Sequence, residues 1–302
     1  MNLSVNIGSL HLNNPVIAAS GCFGFGREYS EYVDLNKLGA ISVKGLTLEP
    51  RQGNAAPRCA ETPGGMLNSV GLQNPGVHYF IEQEIPFLRQ YSAKIIANIA
   101  GNSLDDYCQM AAILDDTDID AIELNVSCPN VKAGCMAFGS SVDGISEVVS
   151  AVRARTVKTL IVKLTPNVRD IKEIALAAER NGADAVSLIN TLLGMAIDIN
   201  KKRPILANNY GGLSGAAVKP VALRMVHEVT NCVKIPVIGM GGICCWQDAI
   251  EFMLAGASAV MVGTANFINP LITIEIATGI EAYMRTQNYL SIEELNRALK
   301  MN

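Results

Sequence analysis

The chain has 302 residues, 49% hydrophobic, 17% charged and 5% aromatic, with a formal net charge of −4. A charged fraction so far below the roughly 25% of soluble domains excludes a disordered chain and supplies apolar surface for a large core. The small acidic excess, 24 Lys and Arg against 28 Asp and Glu, comes without any basic run and gives no electrostatic case for binding nucleic acid.

At the start, two apolar stretches at 3–7 and 10–12 flank Gly8-Ser9 and predict a β-hairpin. Met1 to Gly26 lacks Asp, Glu, Lys and Arg, and Ala19-Ser20-Gly21-Cys22 superficially imitates a lipoprotein cleavage box. No basic region precedes it, and Asn13-Asn14-Pro15 breaks the apolar run, so no secretion signal is expected. Short apolar runs rich in β-branched residues then predict buried strands at 15–20, 40–44, 94–99, 121–126, 160–164, 185–190, 236–240 and 259–262. Helical patterns lie between them at 103–114, 143–156, 169–181, 219–230 and 246–255. In the third of these, Ile171, Ile174, Ala175 and Ala178 share one face, and Gly182 supplies the stop.

Buried strands alternating with amphipathic helices imply parallel βα units. Eight of them predict an α/β fold, a (β/α)₈ TIM barrel that occupies 1–302 as one domain, its N-terminal hairpin capping the floor. Extra length follows strands 2 and 6, at 45–80 and 191–218. Both insertions leave C-terminal strand ends, where barrels place their active sites, so they are expected to wall a pocket. The uncharged run 252–274 is long enough to span a bilayer, but Gly256, Gly263, Asn266 and Asn269-Pro270 interrupt it. It reads as helix end, strand and loop, and a cytoplasmic protein away from membranes is expected. The eight cysteines contain no Cys-x-x-Cys pair and read mostly as reduced, packed thiols. No metal site is expected, and any iron–sulfur cluster would belong to another chain.

Gly239-Met-Gly-Gly242 and Val262-Gly-Thr264 follow strands 7 and 8. Bare backbone N–H groups at these turns suit a phosphate, although the same glycines also suit plain tight turns. Lys44 and Lys163 end strands, where an ammonium can face an anionic substrate or a charge developing on a cofactor. A snorkelling rim lysine and, for Lys163, an aldolase Schiff base are the alternatives. Asn68, Asn98, Asn125 and Asn190 recur at the predicted rim, where several amides suit a planar heterocycle with alternating N–H and C=O groups. Cys128, just past strand 4, can serve as base or nucleophile, or stand as an inert buried thiol.

These motifs together resemble the class 1 dihydroorotate dehydrogenases. The segments Asn68-Ser-Val-Gly-Leu-Gln-Asn-Pro-Gly76, Asn125-Val-Ser-Cys-Pro-Asn-Val-Lys132, Gly194-Met-Ala-Ile-Asp198, Gly211-Gly-Leu-Ser-Gly215 and Gly239-Met-Gly-Gly-Ile243 carry the resemblance, which runs nearly end to end. Gln-Asn-Pro-Gly and Gly-Met-Ala-Ile-Asp are most similar to the class 1B catalytic subunit. The resemblance implies FMN held by Ser20, Lys44, Gly45, Asn98, Asn125, Lys163, Ile189, Gly215, Gly241, Gly242, Gly263 and Thr264. It implies dihydroorotate bound by Lys44, Asn68, Ser69, Val70, Gly71, Leu72, Asn125, Asn190 and Thr191, with Cys128 as the base. It further implies oxidation of (S)-dihydroorotate to orotate in pyrimidine (UMP) synthesis. Electrons would pass to NAD through a partner subunit bearing FAD and a 2Fe–2S cluster, in a heterotetramer around a homodimer core. A class 1A enzyme using fumarate, a Lys163 aldolase and a non-catalytic flavin-binding barrel are the rivals. Cys135, Ala216 and Asn208-Asn-Tyr210 depart from the family pattern, in what read as flanking positions.

Overall fold

The computed structural model describes residues 2–127 and 138–301. Eight parallel strands close a barrel in chain order: β1 (Val16–Ala18), β2 (Ala40–Ser42), β3 (Lys94–Ile99), β4 (Ala121–Asn125), β5 (Thr159–Lys163), β6 (Ala185–Leu188), β7 (Val237–Met240) and β8 (Ala259–Val262). All eight coincide with predicted runs. The ladder ends two residues early where Ser20, Lys44 and Asn190 turn away to line a cavity.

Side chains alternate across each strand, and that parity sorts the two cores. Ile96 of β3, Ala121 of β4 and Ile161 of β5 fill the barrel interior, whereas Ile95, Ile122 and Leu160 face the surrounding helices. Helices Leu104–Asp115, Val142–Arg153, Ile171–Arg180, Lys219–Thr230, Trp246–Leu254 and Ile272–Gln287 follow β3 to β8. Ser103, Ser141 and Asp170 start three of them by accepting a hydrogen bond from a first-turn N–H, as N-cap side chains do. The uncharged run 252–274 divides into the end of one helix, β8, a 3₁₀ turn at Thr264–Phe267 and the start of the last long helix. No helix among the described residues is long and apolar enough to cross a membrane.

The N-terminal strands Val5–Ile7 and Leu10–Leu12 form the expected antiparallel hairpin. Its Ile7, Leu10 and Leu12 join the interior cluster, and Ser9 Oγ lies 2.8 Å from Thr159 Oγ1 at the first residue of β5. The hairpin therefore plugs the N-terminal mouth and leaves the other mouth for chemistry.

The insertions contain more order than their predicted loops. Cys59–Thr62 turns through Pro63-Gly64 into Gly65–Asn68, which pairs with Gly211–Ser214, which pairs in turn with Leu192–Gly194. The two insertions thus share one four-stranded antiparallel sheet beside the open mouth. All four strands are short, three contain glycine, and the central pairing joins segments far apart in sequence, so local periodicity carries no signal for it. The hairpin plug has a measurable consequence. Leu12 is fully buried, so Leu12→Ala should destabilise the fold by about 2–5 kcal/mol through lost burial and a residual cavity. Urea unfolding followed by circular dichroism reads this; a change under about 0.5 kcal/mol would show the plug to be dispensable.

Candidate active site

At the open mouth lies a cavity of about 890 Å³, near the upper end of the size usual for ligand sites. The β7 turn brings Gly241 and Gly242 to one wall, beside Gly263 and Thr264 after β8, with Gly215 between them and the insertion sheet. Gly242 has φ +76, and a Cβ there would come within 2.8 Å of Lys219 N, so no other residue fits this backbone. Thr264 Oγ1 donates to Ser214 Oγ at 2.8 Å, tying the phosphate-like turn to the insertion sheet. Ser20 and Gly45 line the floor side, and Ile189 follows β6.

The insertion after β2 lines the cavity with Asn68, Ser69, Val70, Gly71 and Leu72. Asn125, Asn190 and Thr191 line it too. Asn125 Oδ1 accepts from Ser127 N at 3.2 Å and weakly from Asn190 Nδ2 at 3.4 Å, so two predicted amides converge. Lys44 lines the same space, half-buried. Asn98 does not stand at the rim. It is fully buried one layer below, because its place on β3 puts it two residues beyond inward-facing Ile96.

Below the cavity the barrel interior turns polar. Glu123, 0% exposed, accepts from Ser42 Oγ at 2.7 Å and Asn98 Nδ2 at 2.6 Å on Oε2, and from Ser187 Oγ at 2.7 Å on Oε1. Lys163, 5% exposed, brings its Nζ to 3.9 Å from Oε2. Sequence reasoning missed Glu123, Ser42 and Ser187. The signal was available: a glutamate at an inward position of an otherwise apolar strand, Ala-Ile-Glu-Leu-Asn, is buried only if paired.

Cys128 and Cys135 lie outside the described residues; Ser127 and Gly139-Ser140, on either side of that segment, line the cavity. Among the described residues, Cys22, Cys59 and Cys244 line the cavity. Burial pushes the Cys22 thiol up to about 11 against the opposing pull of Lys163 and Lys44, so it stays protonated at neutral pH. Burial likewise raises Cys244. Asn208, Asn209 and Tyr210, expected in a flank, line the cavity directly, while Ala216 is exposed. Thr165 and Asn167 were also missed. Asn167 receives the Leu193 N–H and donates to the Thr191 carbonyl, so it anchors the start of the second insertion.

The family model of the dihydroorotate dehydrogenases matches residues 2–284. The chain belongs to this family. It is 60% identical over 299 residues to a protein of Alkaliphilus metalliredigens, covering 99% of each chain. It is 62% identical over 294 residues to one of Alkaliphilus oremlandii, covering 97% of each, and 59% identical over 301 residues to one of Bacteroides thetaiotaomicron, covering 99% of each. All three are called dihydroorotate dehydrogenase B (NAD(+)), catalytic subunit.

Behind the Gly241-Gly242 turn, Asp248 accepts from Cys244 N at 2.8 Å and Lys219 Nζ at 2.6 Å. Burial raises the Asp248 carboxyl, but the bonds from Lys219 and Cys244 outweigh it and hold it below the usual range. A depressed folded value contributes stability above the unfolded carboxyl pKa of about 3.9 and loses it as pH falls through the folded value. Asp248→Asn should therefore lower the urea midpoint at pH 7 and converge with the parent only as pH falls through the lowered folded value. A gap independent of pH would refute an electrostatic role for this pair.

Proposed function

We propose that this chain is the FMN-binding catalytic subunit that oxidises (S)-dihydroorotate to orotate for pyrimidine synthesis, acting as one barrel domain. The observation that supports it most is a single cavity joining glycine turns after β7 and β8 to a buried lysine and converging amides. A phosphate-bearing planar cofactor fits these residues. Gly241-Gly242 and Gly263-Thr264 offer bare backbone to a monophosphate, and Asn98 Oδ1 is a buried acceptor with no protein partner.

FMN, when bound, accepts the hydride that leaves C6 of dihydroorotate. Ser20, Lys44, Gly45, Asn98, Asn125, Lys163, Ile189 and Gly215 would hold it beside the phosphate turns. Asn68 to Leu72, Asn125 and Asn190-Thr191 would grip the pyrimidine, their amides matching its alternating N–H and C=O edge. Lys44 would face the substrate carboxylate. Cys128 would take the C5 proton as general base. Lys163 would oppose negative charge arriving on the ring system. The C5 proton would go to the Cys128 sulfur, the C5–H electron pair would become the C5=C6 double bond and the C6–H pair would leave with the hydride, so orotate would form without a covalent intermediate.

Electrons would leave to NAD through a partner subunit carrying FAD and a 2Fe–2S cluster. The relatives' designation as catalytic subunits supports a partner. A homodimer core within a heterotetramer suits the exposed Leu193, Met195, Ile197 and Ile199 on the second insertion. A chain without cluster ligands or a second nucleotide fingerprint should reduce an artificial acceptor with dihydroorotate, but not NAD.

Denaturing the purified chain should release FMN, and anaerobic dihydroorotate should bleach the bound flavin. Recovery of FAD, or a flavin that dihydroorotate leaves oxidised, would refute the proposal. Gly242→Val should abolish FMN retention while the fold persists by circular dichroism, since its Cβ would press against Lys219 N. Retention of FMN by that variant would move the phosphate elsewhere.

Thiol chemistry provides a separate check. Cys128→Ala should keep FMN and bind orotate yet slow flavin reduction roughly 10²–10⁴-fold, the usual range for losing a positioned base. Cys128→Ser should keep some activity that rises with pH, since a hydroxyl is a weaker acid than a thiol. Cys135→Ala and Cys22→Ala should stay active, the latter because its raised thiol is protonated. Loss of reduction in either with an intact Cys128→Ala would place the base wrongly.

A further inference from the structure

Glu123 takes no part as acid or base in the reaction above, yet it gathers more polar contacts than any other group beneath the site. Its carboxylate accepts from Ser42, Asn98 and Ser187 and faces Lys163. Two of these neighbours, Asn98 and Lys163, are residues assigned to the flavin. Each is constrained by the carboxylate in a way that bears on a ligand.

An amide has a donor end and an acceptor end. Because Asn98 Nδ2 is committed to Glu123 at 2.6 Å, the opposite end, Oδ1, is fixed in direction. That oxygen is buried without a partner and lies against Gly45, where an added Cβ would come within 3.0 Å of it. An orphaned buried acceptor carries a penalty unless a ligand supplies an N–H. Lys163 differs. Its Nζ stands 3.9 Å from Glu123 Oε2, close enough for charge interaction in a buried setting but beyond a hydrogen bond. Glu123 therefore offsets the lysine's charge without engaging its donors.

We propose that Glu123 is the positioning residue of the flavin site: it fixes Asn98 with its acceptor towards the ligand and sets how much of the Lys163 charge that ligand feels. The inference rests on the FMN reading and deepens it. A site with less offset charge would hold reduced, negatively charged flavin more tightly relative to oxidised flavin. Glu123 would thus limit the preference for the reduced form, so that electrons can move on to the next acceptor.

The test uses the FMN-loaded chain and Glu123→Gln, a near-isosteric change that removes the charge. The readouts are the FMN midpoint potential, measured against a reference dye, and the affinity of apoprotein for oxidised FMN. The ratio of reduced to oxidised affinity should rise about tenfold, a positive shift of about 30 mV for a two-electron couple. In a Lys163→Met background the same change should leave the midpoint where it is. A residue that only supports the fold would weaken both redox forms alike. An unchanged or lowered midpoint, or a rise that survives without Lys163, overturns the proposal. Should Glu123→Gln fail to fold, Ser187→Ala takes its place. It removes a donor from Oε1, leaves more negative charge facing Lys163 and should lower the midpoint; an unchanged or raised value overturns the proposal equally. A folded parent chain that neither retains nor takes up FMN refutes the flavin reading itself, whereas normal FMN binding with an unmoved midpoint refutes only the role of Glu123.

Discussion

The buried carboxylate of Glu123 is the constraint on which the site depends. Ser42, Asn98, Glu123, Lys163 and Ser187 come from five consecutive strands, β2 to β6, and all meet at one group. An ionisable side chain at 0% exposure is tolerable only when its lone pairs are satisfied and its charge is opposed, and here both conditions hold. Removing one partner of such a pair typically costs about 3–5 kcal/mol, because the other charge is left buried and alone. The polar layer therefore ties the strands in register while it holds two side chains beneath the cavity.

Strand parity explains why this layer lies where it does. The inward positions of β4 are Ala121, Glu123 and Asn125, read from the floor upward. Ala121 packs with Ile96 and Ile161 in the apolar interior, Glu123 anchors the polar layer, and Asn125 reaches the cavity. A one-residue slip of β4 would exchange these for Ile122 and Leu124, putting two apolar side chains where the charges meet. The floor hairpin closes the opposite mouth, so the stack runs from oil to charge to ligand along one axis. The insertion sheet then supplies the outer wall. Its cross-pairing of Gly65–Asn68 with Gly211–Ser214 fixes the first insertion against the second, and Thr264 fixes the second against the last βα turn.

The barrel and the glycine turns were legible because their signals are local. Apolar runs mark strands, helical periodicity marks what covers them, and a glycine pair after a strand marks a backbone that must stay bare. The insertion sheet was not legible, since its central ladder joins segments far apart and three of its four strands contain glycines that weaken strand propensity. Asn98 was found but placed one layer too high, at the rim. Counting inward positions from Ile96 would have lowered it. Glu123 lies in a strand interior, where the groups that hold reacting side chains belong, and not at a strand end, where the reacting groups themselves stand. The family resemblance, read from motifs at the rim, could not supply it either.

The cavity's thiols show why residue type alone does not assign chemistry. Cys22 stands within the field of Lys44 and Lys163, the kind of electropositive setting that usually lowers a thiol pKa. Its burial wins, and the thiol is held near 11. The two effects oppose each other, so the proximity of a lysine is not sufficient to make a base; the sulfur must also keep access to water or substrate. Cys22 lines the cavity and is half-buried, with its Sγ 3.5 Å from the position a Cβ on Gly263 would take, so it is the raised thiol and not its place that argues against Cys22 as a base.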